Sequence, residues 1–369
     1  MSAWVRKRWV PAVPWTVAAP ALALVVLVLT WGRHLPAAIA LVVSAFLAGA
    51  VLAAVHHAEV VAHRVGEPFG SLVLAVAVTV IEVALIVTLM ISGGAKTASL
   101  ARDTVFAAVM ITCNGIVGLS LLVGALRQRV AVFNAEGTGA ALATVATLAT
   151  LSLVLPTFTT SARGPVFSAG QLAFAAVASL ALYALFVLTQ TVRHRDDYLP
   201  VDAAGLVVQA DANDEVPSVR AAARSLGLLL VALVAVVGLA KVESPVIEAR
   251  VAAAGLPPSV VGVVIALLVL LPESLAAYRA ARRDRVQTSL NLALGSAMAS
   301  IGLTIPAIAL ASVWLKGPLL LGLGATQMVL LLLTVVVGML TVVPGRATLL
   351  QAGVHLAVFA SFLFLAVSP

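Results

Sequence analysis

Long apolar runs alternate with short polar breaks along nearly the whole chain. A run of about 18 or more apolar residues is long enough to cross a bilayer as a helix. The alternation predicts eleven membrane-spanning helices, at residues 14–32, 36–65, 68–92, 103–125, 138–157, 168–192, 223–242, 257–278, 288–313, 317–342 and 348–367. Pro36, Pro68 and Pro318 lie near three predicted helix starts, where a missing backbone N–H costs little. The pattern indicates an all-α integral membrane protein.

Composition agrees with this interpretation, since 62% of the residues are apolar and only 10% are charged. Soluble domains carry about 25% charged residues. The formal charge of +7 could suggest a nucleic-acid partner. However, the basic residues stand singly or in short clusters between apolar runs, which is where membrane topology is determined. We therefore expect the lipid bilayer, and no nucleic acid, as a partner.

The first residues resemble the start of a signal peptide because Arg6, Lys7 and Arg8 precede an apolar run. No convincing small-residue cleavage site follows, and further apolar runs continue the chain. We therefore expect a retained first helix. The single cysteine, Cys113, lies inside an apolar run and cannot form an intrachain disulfide.

The basic residues also predict the orientation in the membrane. With a cytoplasmic N-terminus, 15 of the 22 lysines and arginines fall on the inner side. Because short cytoplasmic loops are enriched in these residues, we expect the N-terminus inside and the C-terminus outside.

A polar segment at 193–222 divides the chain into halves. We expect an N-terminal extra helix at 1–35, a five-helix repeat at 36–192, an acidic cytoplasmic loop at 193–222 and a second five-helix repeat at 223–369. An odd number of spans per half places the halves in opposite orientations, the inverted repeat of many secondary transporters. The loop lacks the DxDxDG pattern of an EF-hand, so a solvated connector is favoured over a weak calcium sensor.

Each half has one glutamate deep in an apolar run, Glu82 in AVTVIEVAL and Glu273 in LVLLPESLAA. Charged side chains at this depth are expensive and usually functional, although a residue near a helix end can reach the interface instead. Pro272 frees a backbone carbonyl, and a broken helix at this point could direct carbonyl oxygens at a cation. Burial favours a protonated carboxyl and a bound cation favours the ionised form. Cation and protons could therefore exchange at one site.

A second polar cluster precedes Glu82. His56, Glu59 and His63 lie on one helical face and could form a metal site, a proton relay or simply the polar end of a helix. Glu67 precedes Pro68 and could cap the next helix or take part in gating.

The second half has its own polar cluster, KVESPVIEARV, which contains Glu243 and Glu248. Inverted symmetry makes Glu243 the expected counterpart of Glu59. We expect Asp103 to be a helix N-cap. Two helices rich in small residues, TCNGIVGLS and LGSAMASIGLTIP, should pack against the glutamate helices. Their polar side chains could act as cation ligands or only in packing, and these are Asn114, Ser296 and Ser300.

These motifs resemble the ChaA-type antiporters of the calcium/cation antiporter superfamily. The resemblance covers essentially the whole chain and is most specific in HAEVVAHRVGEPFGSLVLAVAVTVIEVALI and LLPESLAAYRAARRDRVQTSLNLALGSAMASIGLTIPAIA. Glu59, Glu67 and Glu82 fall at the places of the family's acidic residues, and Glu273 matches the second-repeat glutamate. The segment 78–80 reads Val-Thr-Val where the wider calcium/proton exchanger pattern has Gly-Asn-Ala.

The resemblance implies ten core helices in two inverted repeats plus an extra helix. It implies that Glu82 and Glu273 carry the cation and the protons, with calcium as the substrate and sodium or potassium as alternatives. It also implies a multi-pass protein of the bacterial inner membrane, with no cofactor besides the transported ion.

Our hypothesis is a secondary active antiporter that exports Ca²⁺, or Na⁺ or K⁺, in exchange for protons by alternating access. Glu59, Glu67, Glu243 and Asn114 would shape the pathway, with His63 as a relay. A passive cation channel is the first alternative. A metal-dependent intramembrane enzyme that uses the cluster containing His56 ranks last, because the chain has no HExxH, GxSxG or nucleotide-binding loop.

Overall fold

The computed structural model describes residues 14–33, 35–66, 69–93, 97–201, 216–314 and 317–369. Eleven helices follow one another in these ranges: α1 Trp15–Thr30, α2 Ala37–Val65, α3 Phe69–Gly93, α4 Leu100–Gln128, α5 Ala135–Phe158, α6 Ala169–Arg193, α7 Val219–Ala253, α8 Ser259–Arg282, α9 Val286–Ala311, α10 Ala325–Val342 and α11 Leu349–Val367. Within the described ranges, α2 and α4–α11 are long and apolar enough to cross a membrane, and α1 and α3 carry shorter apolar stretches. The predicted all-α membrane architecture is confirmed.

Two predicted boundaries are wrong. The span predicted to end at 242 continues to Ala253, because α7 accommodates Pro245 within its length. The span predicted from 317 begins only at Ala325. The residues before it, including Pro318, run without helix, and three of their backbone N–H groups bond to distant segments instead.

The helices are irregular at positions other than the one predicted from the sequence. The helix α8 continues through Pro272, so the broken helix expected at Glu273 is not observed. Instead, π-helical turns interrupt α4 at Ile111–Ile116 and α5 at Thr150–Val154, and another ends α6 at Thr189–Arg193. Single π turns often mark functional positions in helices.

Hydrogen bonds between loops define two faces of the bundle. On one face, the short strand β1 (Ala131–Val132) pairs with β2 (Arg346–Ala347), which joins the α4–α5 and α10–α11 loops. On the other face, the segment before α10 bonds to two loops, Leu320 N–H to the Ala98 carbonyl at 3.1 Å and Gly322 N–H to the Pro165 carbonyl at 2.9 Å. We call the first face the inner side, which is the predicted cytoplasmic one, and the second the outer side.

The packing of helices repeats between the halves. The helices α3 and α6 pack on α9, and their second-half equivalents α8 and α11 pack on α4 in the same way. The helix α2 starts on the outer side and its equivalent α7 starts on the inner side, so the two five-helix sets are inverted. Each small-residue helix therefore packs against a glutamate helix, as expected.

Close backbone approach explains part of this packing. A Cβ added at Gly262 in α8 would lie 2.9 Å from the Thr104 backbone nitrogen of α4. Small residues permit such approach between membrane helices.

The extra helix α1 packs against both α2 and α7. Gly238 of α7 leaves the space that Leu27 of α1 occupies. The His57 ring of α2 bonds to the Thr16 carbonyl oxygen at 2.9 Å and to the Ser225 hydroxyl of α7 at 3.3 Å. One buried histidine therefore joins three helices.

Candidate functional site

A cavity of about 220 Å³ lies among α3, α6, α8 and α9. Its inner end is lined by Gln190, Thr288 and Asn291, which stand near the inner ends of α6 and α9. Its deep end is lined by the two mid-helix glutamates, Glu82 and Glu273. The structure thus brings the two predicted acids, one from each repeat, to the same cavity.

The two carboxyl groups retain oxygens that the protein does not bond. Glu82 is buried, and its Oε2 accepts a hydrogen bond from the Ser300 hydroxyl at 2.9 Å. Glu82 Oε1 and Glu273 Oε2 have no hydrogen-bond partner in the described part of the chain. Because unpaired buried polar atoms are costly, these oxygens are suited to a ligand from outside the protein.

Further oxygens surround this position. The hydroxyl-bearing residues Thr79, Ser296 and Ser300 line the same cavity, and Thr79 stands where the related pattern has asparagine. Carboxylate and hydroxyl oxygens suit hard cations such as calcium. No cluster of three or more His, Cys, Asp or Glu residues occurs in the part of the chain that the structure describes. A bound cation would therefore complete its shell with hydroxyl, carbonyl or water oxygens.

The Glu59 charge lies near this pair, because it interacts electrostatically with Glu273, as does the Glu82 charge. Glu59 also lies near the charges of His56 and Arg279. Glu59 is exposed near the inner end of α2, on the inner side of the two deep acids.

The histidines of this segment do not form the metal site that the sequence left open. His56 and His63 are both exposed. His56 packs against aromatic rings, with its centroid 6.4 Å from Trp15 and 5.5 Å from His57. The three-ligand metal alternative therefore has no support among the described residues. Glu67 and Pro68 lie outside the described residues.

Asn114 is engaged elsewhere. Its carboxamide donates to the Thr334 hydroxyl at 2.9 Å, and its oxygen lies 3.3 Å from the His355 ring. The other His355 ring nitrogen lies 3.1 Å from the Thr341 hydroxyl. Asn114 is not among the residues that line the glutamate cavity. Its contacts support the packing alternative and give no support to the ligand alternative.

A second cavity, of about 380 Å³, opens near the outer ends of α3, α4, α7 and α8. Its lining includes Asp103 and Glu248, and it shares no lining residue with the glutamate cavity. We call the two spaces the inner cavity and the outer cavity.

The outer acids accept hydrogen bonds from neighbouring side chains. Asp103 accepts hydrogen bonds from the Ser99 hydroxyl and the Arg102 guanidinium, both at 2.8 Å. Ser99 is the N-cap residue of α4 and Asp103 lies within the first turn, so the expected N-cap role of Asp103 is wrong. Glu248 accepts from the Ser244 hydroxyl at 2.9 Å.

The positions along the helices also correct the expected symmetry. Glu59 lies ten residues before the start of the following helix at Phe69, and Glu248 lies eleven residues before the corresponding start at Ser259, so Glu248 is the acid nearest to the matching position. Glu243 lies more than one turn deeper in α7 and faces α2, where its Oε2 accepts a hydrogen bond from Ser44 at 3.1 Å. The pairing of Glu243 with Glu59 is therefore wrong.

Sequence reasoning missed Gln190, Thr288 and Asn291 at the inner end of the cavity, as well as His57 and His355. Polar residues inside apolar runs were the available signal. Whether such a residue lines the cavity depends on neighbouring helices that are distant in the sequence. The sequence pattern therefore did not distinguish these residues from polar residues that only take part in packing.

Comparisons with known proteins agree with this geometry. The chain is 46% identical to the protein y4hA of Sinorhizobium fredii (strain NBRC 101917 / NGR234) over 368 residues, which are 99% of this chain and 98% of that protein. It is 35% identical over 353 residues to the sodium-potassium/proton antiporter ChaA of Escherichia coli (strain K12), with 93% of each chain covered.

Among solved structures, native YfkE superposes with a TM-score of 0.71 at 15% identity, over 96% of this chain and 99% of that one. This similarity shows a shared fold. The family described as sodium/calcium exchanger protein matches residues 35–192 and 224–368, which are most of the chain. The protein is therefore a member of the sodium/calcium exchanger family.

Proposed function

We propose that the protein is a secondary active antiporter that exchanges an inorganic cation for protons. The observation that carries this proposal is the placement of Glu82 and Glu273, from opposite repeats, at the deep end of one cavity, each with a carboxyl oxygen that no described protein group bonds. Membership of the exchanger family and the ChaA relative, a sodium-potassium/proton antiporter, support it.

The chemistry of exchange follows from competition at these oxygens. Two carboxylates at the deep end of one cavity repel each other, and either protons or a cation relieve that repulsion. Because the same oxygens cannot hold both ligands, cation binding releases protons. Ser300 donates a hydrogen bond to Glu82 and holds one oxygen in place while the other remains free.

The separation of the two cavities supports alternating access. In this structure the glutamate pair lines the cavity whose other residues lie at the inner side, and the outer cavity shares none of that lining. This arrangement corresponds to an inward-facing state. The inverted repeats supply a second state, in which the two halves exchange their conformations.

The remaining residues have pathway roles in this proposal. Glu59 guides cations toward the pair from the inner side, and Glu67 and His63 contribute to the pathway, whereas Asn114 contributes through packing. The transported ion is Ca²⁺, with Na⁺ and K⁺ as the alternatives, and we propose no cofactor. We place the protein in a bacterial inner membrane, with the N-terminus cytoplasmic and the C-terminus outside.

Flux measurements in proteoliposomes test this proposal. Purified protein would be reconstituted and the uptake of Ca²⁺, Na⁺ and K⁺ measured with and without an imposed pH gradient, with protein-free liposomes as the control. We expect uptake of at least one ion to follow the pH gradient, and proton movement in the opposite direction. Uptake at the same rate without the gradient, and without counter-movement of protons, would identify a passive channel and overturn the proposal.

A further inference from the structure

Glu243 is a buried acid that lines neither of the two cavities. Its side chain is 1% exposed, and it lies on the face of α7 that packs against α2. Its Oε2 accepts a hydrogen bond from the Ser44 hydroxyl at 3.1 Å, whereas its Oε1 has no partner among the described residues. The cavity linings of the proposed exchange mechanism do not account for this residue.

No described basic group compensates a negative charge at this position. On α7 itself, Lys241 lies 5.1 Å from the centroid of the Trp31 ring, and Arg250 is exposed. Seven other titratable side chains are described on α1, α2 and α3 and on the turns joining them, and none of them hydrogen-bonds to Glu243. These are Arg33, His56, His57, Glu59, His63, Arg64 and Glu82. A buried carboxylate without a cationic partner is strongly unfavourable. Burial at this position therefore favours the neutral carboxyl group over the carboxylate.

Polar groups that neighbour Glu243 along α7 border the outer cavity. The neighbouring residue Ser244 donates a hydrogen bond to Glu248 Oε1 at 2.9 Å, and Glu248 lines the outer cavity together with Pro245. Pro245 has no backbone N–H, so the carbonyl oxygen of Lys241 lacks its usual helical partner. A hydroxyl, a second acid and a free carbonyl thus stand within about one and a half turns of Glu243 on the same helix.

The first repeat has no equivalent of this acid. At the matching depth in α2, counted from the residue pair Glu59 and Glu248, the side chains are the buried apolar Ala53, Ala54 and Val55. Symmetry of the fold therefore does not require an acid here. A buried ionisable residue in a membrane helix that neither symmetry nor packing requires is by default a functional group.

We propose that Glu243 is a proton-binding site separate from the Glu82–Glu273 pair, which takes up a proton from the outer cavity and moves one additional proton inward in each transport cycle. Loading forms an O–H bond at Oε1 with a proton from water in the outer cavity. Unloading breaks this bond after the two halves have exchanged their conformations, which returns the carboxylate and releases a hydrated proton on the inner side. This inference rests on the proposed antiport function. A carboxyl that only holds α2 to α7 through Ser44 is the competing explanation.

The stoichiometry of exchange tests this site. At zero membrane potential, set with a permeant anion, the equilibrium calcium gradient in proteoliposomes depends on the number of protons exchanged per ion. With a pH difference of one unit, the loss of one proton per cycle lowers that gradient about tenfold. We expect this fall in Glu243→Gln, which keeps the size and the acceptor for Ser44 but cannot bind or release a proton. Glu243→Asp, which retains an acid, should restore the wild-type gradient.

The matched control is Glu136→Gln, since Glu136 is an exposed acid in the first turn of α5 and should leave the gradient unchanged. An unchanged gradient in Glu243→Gln would overturn the inference and leave the antiport function intact. Absence of proton-driven calcium movement in the wild-type protein would instead overturn the function itself.

If Glu243→Gln shows no net proton-driven flux, isotopic calcium/calcium counterflow decides between the explanations. Counterflow requires no proton exchange, so it should persist when only a proton site is lost. Loss of counterflow as well would show that Glu243 has a structural role and would overturn the inference.

Discussion

The inner and outer cavities both contain two acidic residues, but the acids differ in their partners. In the outer cavity, Asp103 is bonded by Ser99 and Arg102, and Glu248 is bonded by Ser244. In the inner cavity, Glu82 and Glu273 each keep an oxygen without a described protein partner. The size of a cavity and the number of its acids therefore do not identify the cation site. What distinguishes the inner cavity is that both of its acids keep a buried carboxyl oxygen without a described protein partner.

The largest effect is expected from removing the inner acids one at a time. Glu82→Gln and Glu273→Gln should each lower exchange at least about 100-fold in everted vesicles, because a neutral amide cannot balance a cation's charge. Asp103→Asn is the matched change in the outer cavity. It should lower the thermal stability by breaking a largely buried ion pair, while folded molecules still exchange ions.

If Asp103→Asn lost as much exchange per folded molecule as the two inner variants, the distinction between the two cavities would be contradicted. Full exchange by both inner variants would overturn the assignment of the cation site.

The second prediction concerns the side from which each cavity is reached. In a Cys113→Ala background, Ser296→Cys in the inner cavity should react with a membrane-impermeant thiol reagent applied from the inner side. Ala249→Cys in the outer cavity should react from the outer side, since both residues line these spaces. We expect at least about a tenfold difference in labelling rate between sides, which equals about 1.4 kcal/mol. Reaction of Ser296→Cys mainly from the outer side would reverse the assigned accessibility.

The smallest effect is expected at an exposed ion pair on the inner side. Arg127 Nε lies 2.9 Å from Asp284 Oδ1, and both side chains are exposed. The hydrogen bond from Arg127 lowers the pKa of Asp284, so its stabilising contribution is present above the unfolded pKa of about 3.9 and is lost as the pH falls through the folded value. Because water and salt screen the pair, Asp284→Asn should cost less than about 1 kcal/mol at neutral pH.

Thermal unfolding of purified protein at neutral and acidic pH measures this cost. The difference between the variant and the wild-type protein should shrink in acid and at high salt. A difference that grows on acidification would contradict the assigned direction of the pKa shift.

The sequence predicted the helices and the two deep glutamates because both depend on local pattern. An acid such as Glu82 stands out in a run of apolar residues, and a span is recognised by its length. The end of α7 could not be recognised in this way, because its polar cluster resembles a loop. In the structure, Ser44 and Ser244 each donate a hydrogen bond to one acid of this cluster, and the helix continues.

The segment before α10 was misjudged for the opposite reason. Residues 317–324 are apolar enough to extend a span, but their backbone groups bond to three distant segments, with Leu320, Gly322 and Leu323 as donors. Asn114 shows the same limitation, since its partners Thr334 and His355 come from helices far along the chain. The structure of the segment and the role of Asn114 both depend on tertiary partners. These partners cannot be predicted from the local sequence pattern.

The length of α7 has a further consequence. Its 35 residues span about 50 Å, whereas the hydrocarbon core of a bilayer is about 30 Å thick. Because the helix is longer than the core is thick, it can tilt or extend into the headgroup region. Its apolar side chains still fill the hydrocarbon core in either case. Membranes of different thickness can therefore accommodate the same protein through the tilt of one long helix, at a small elastic cost.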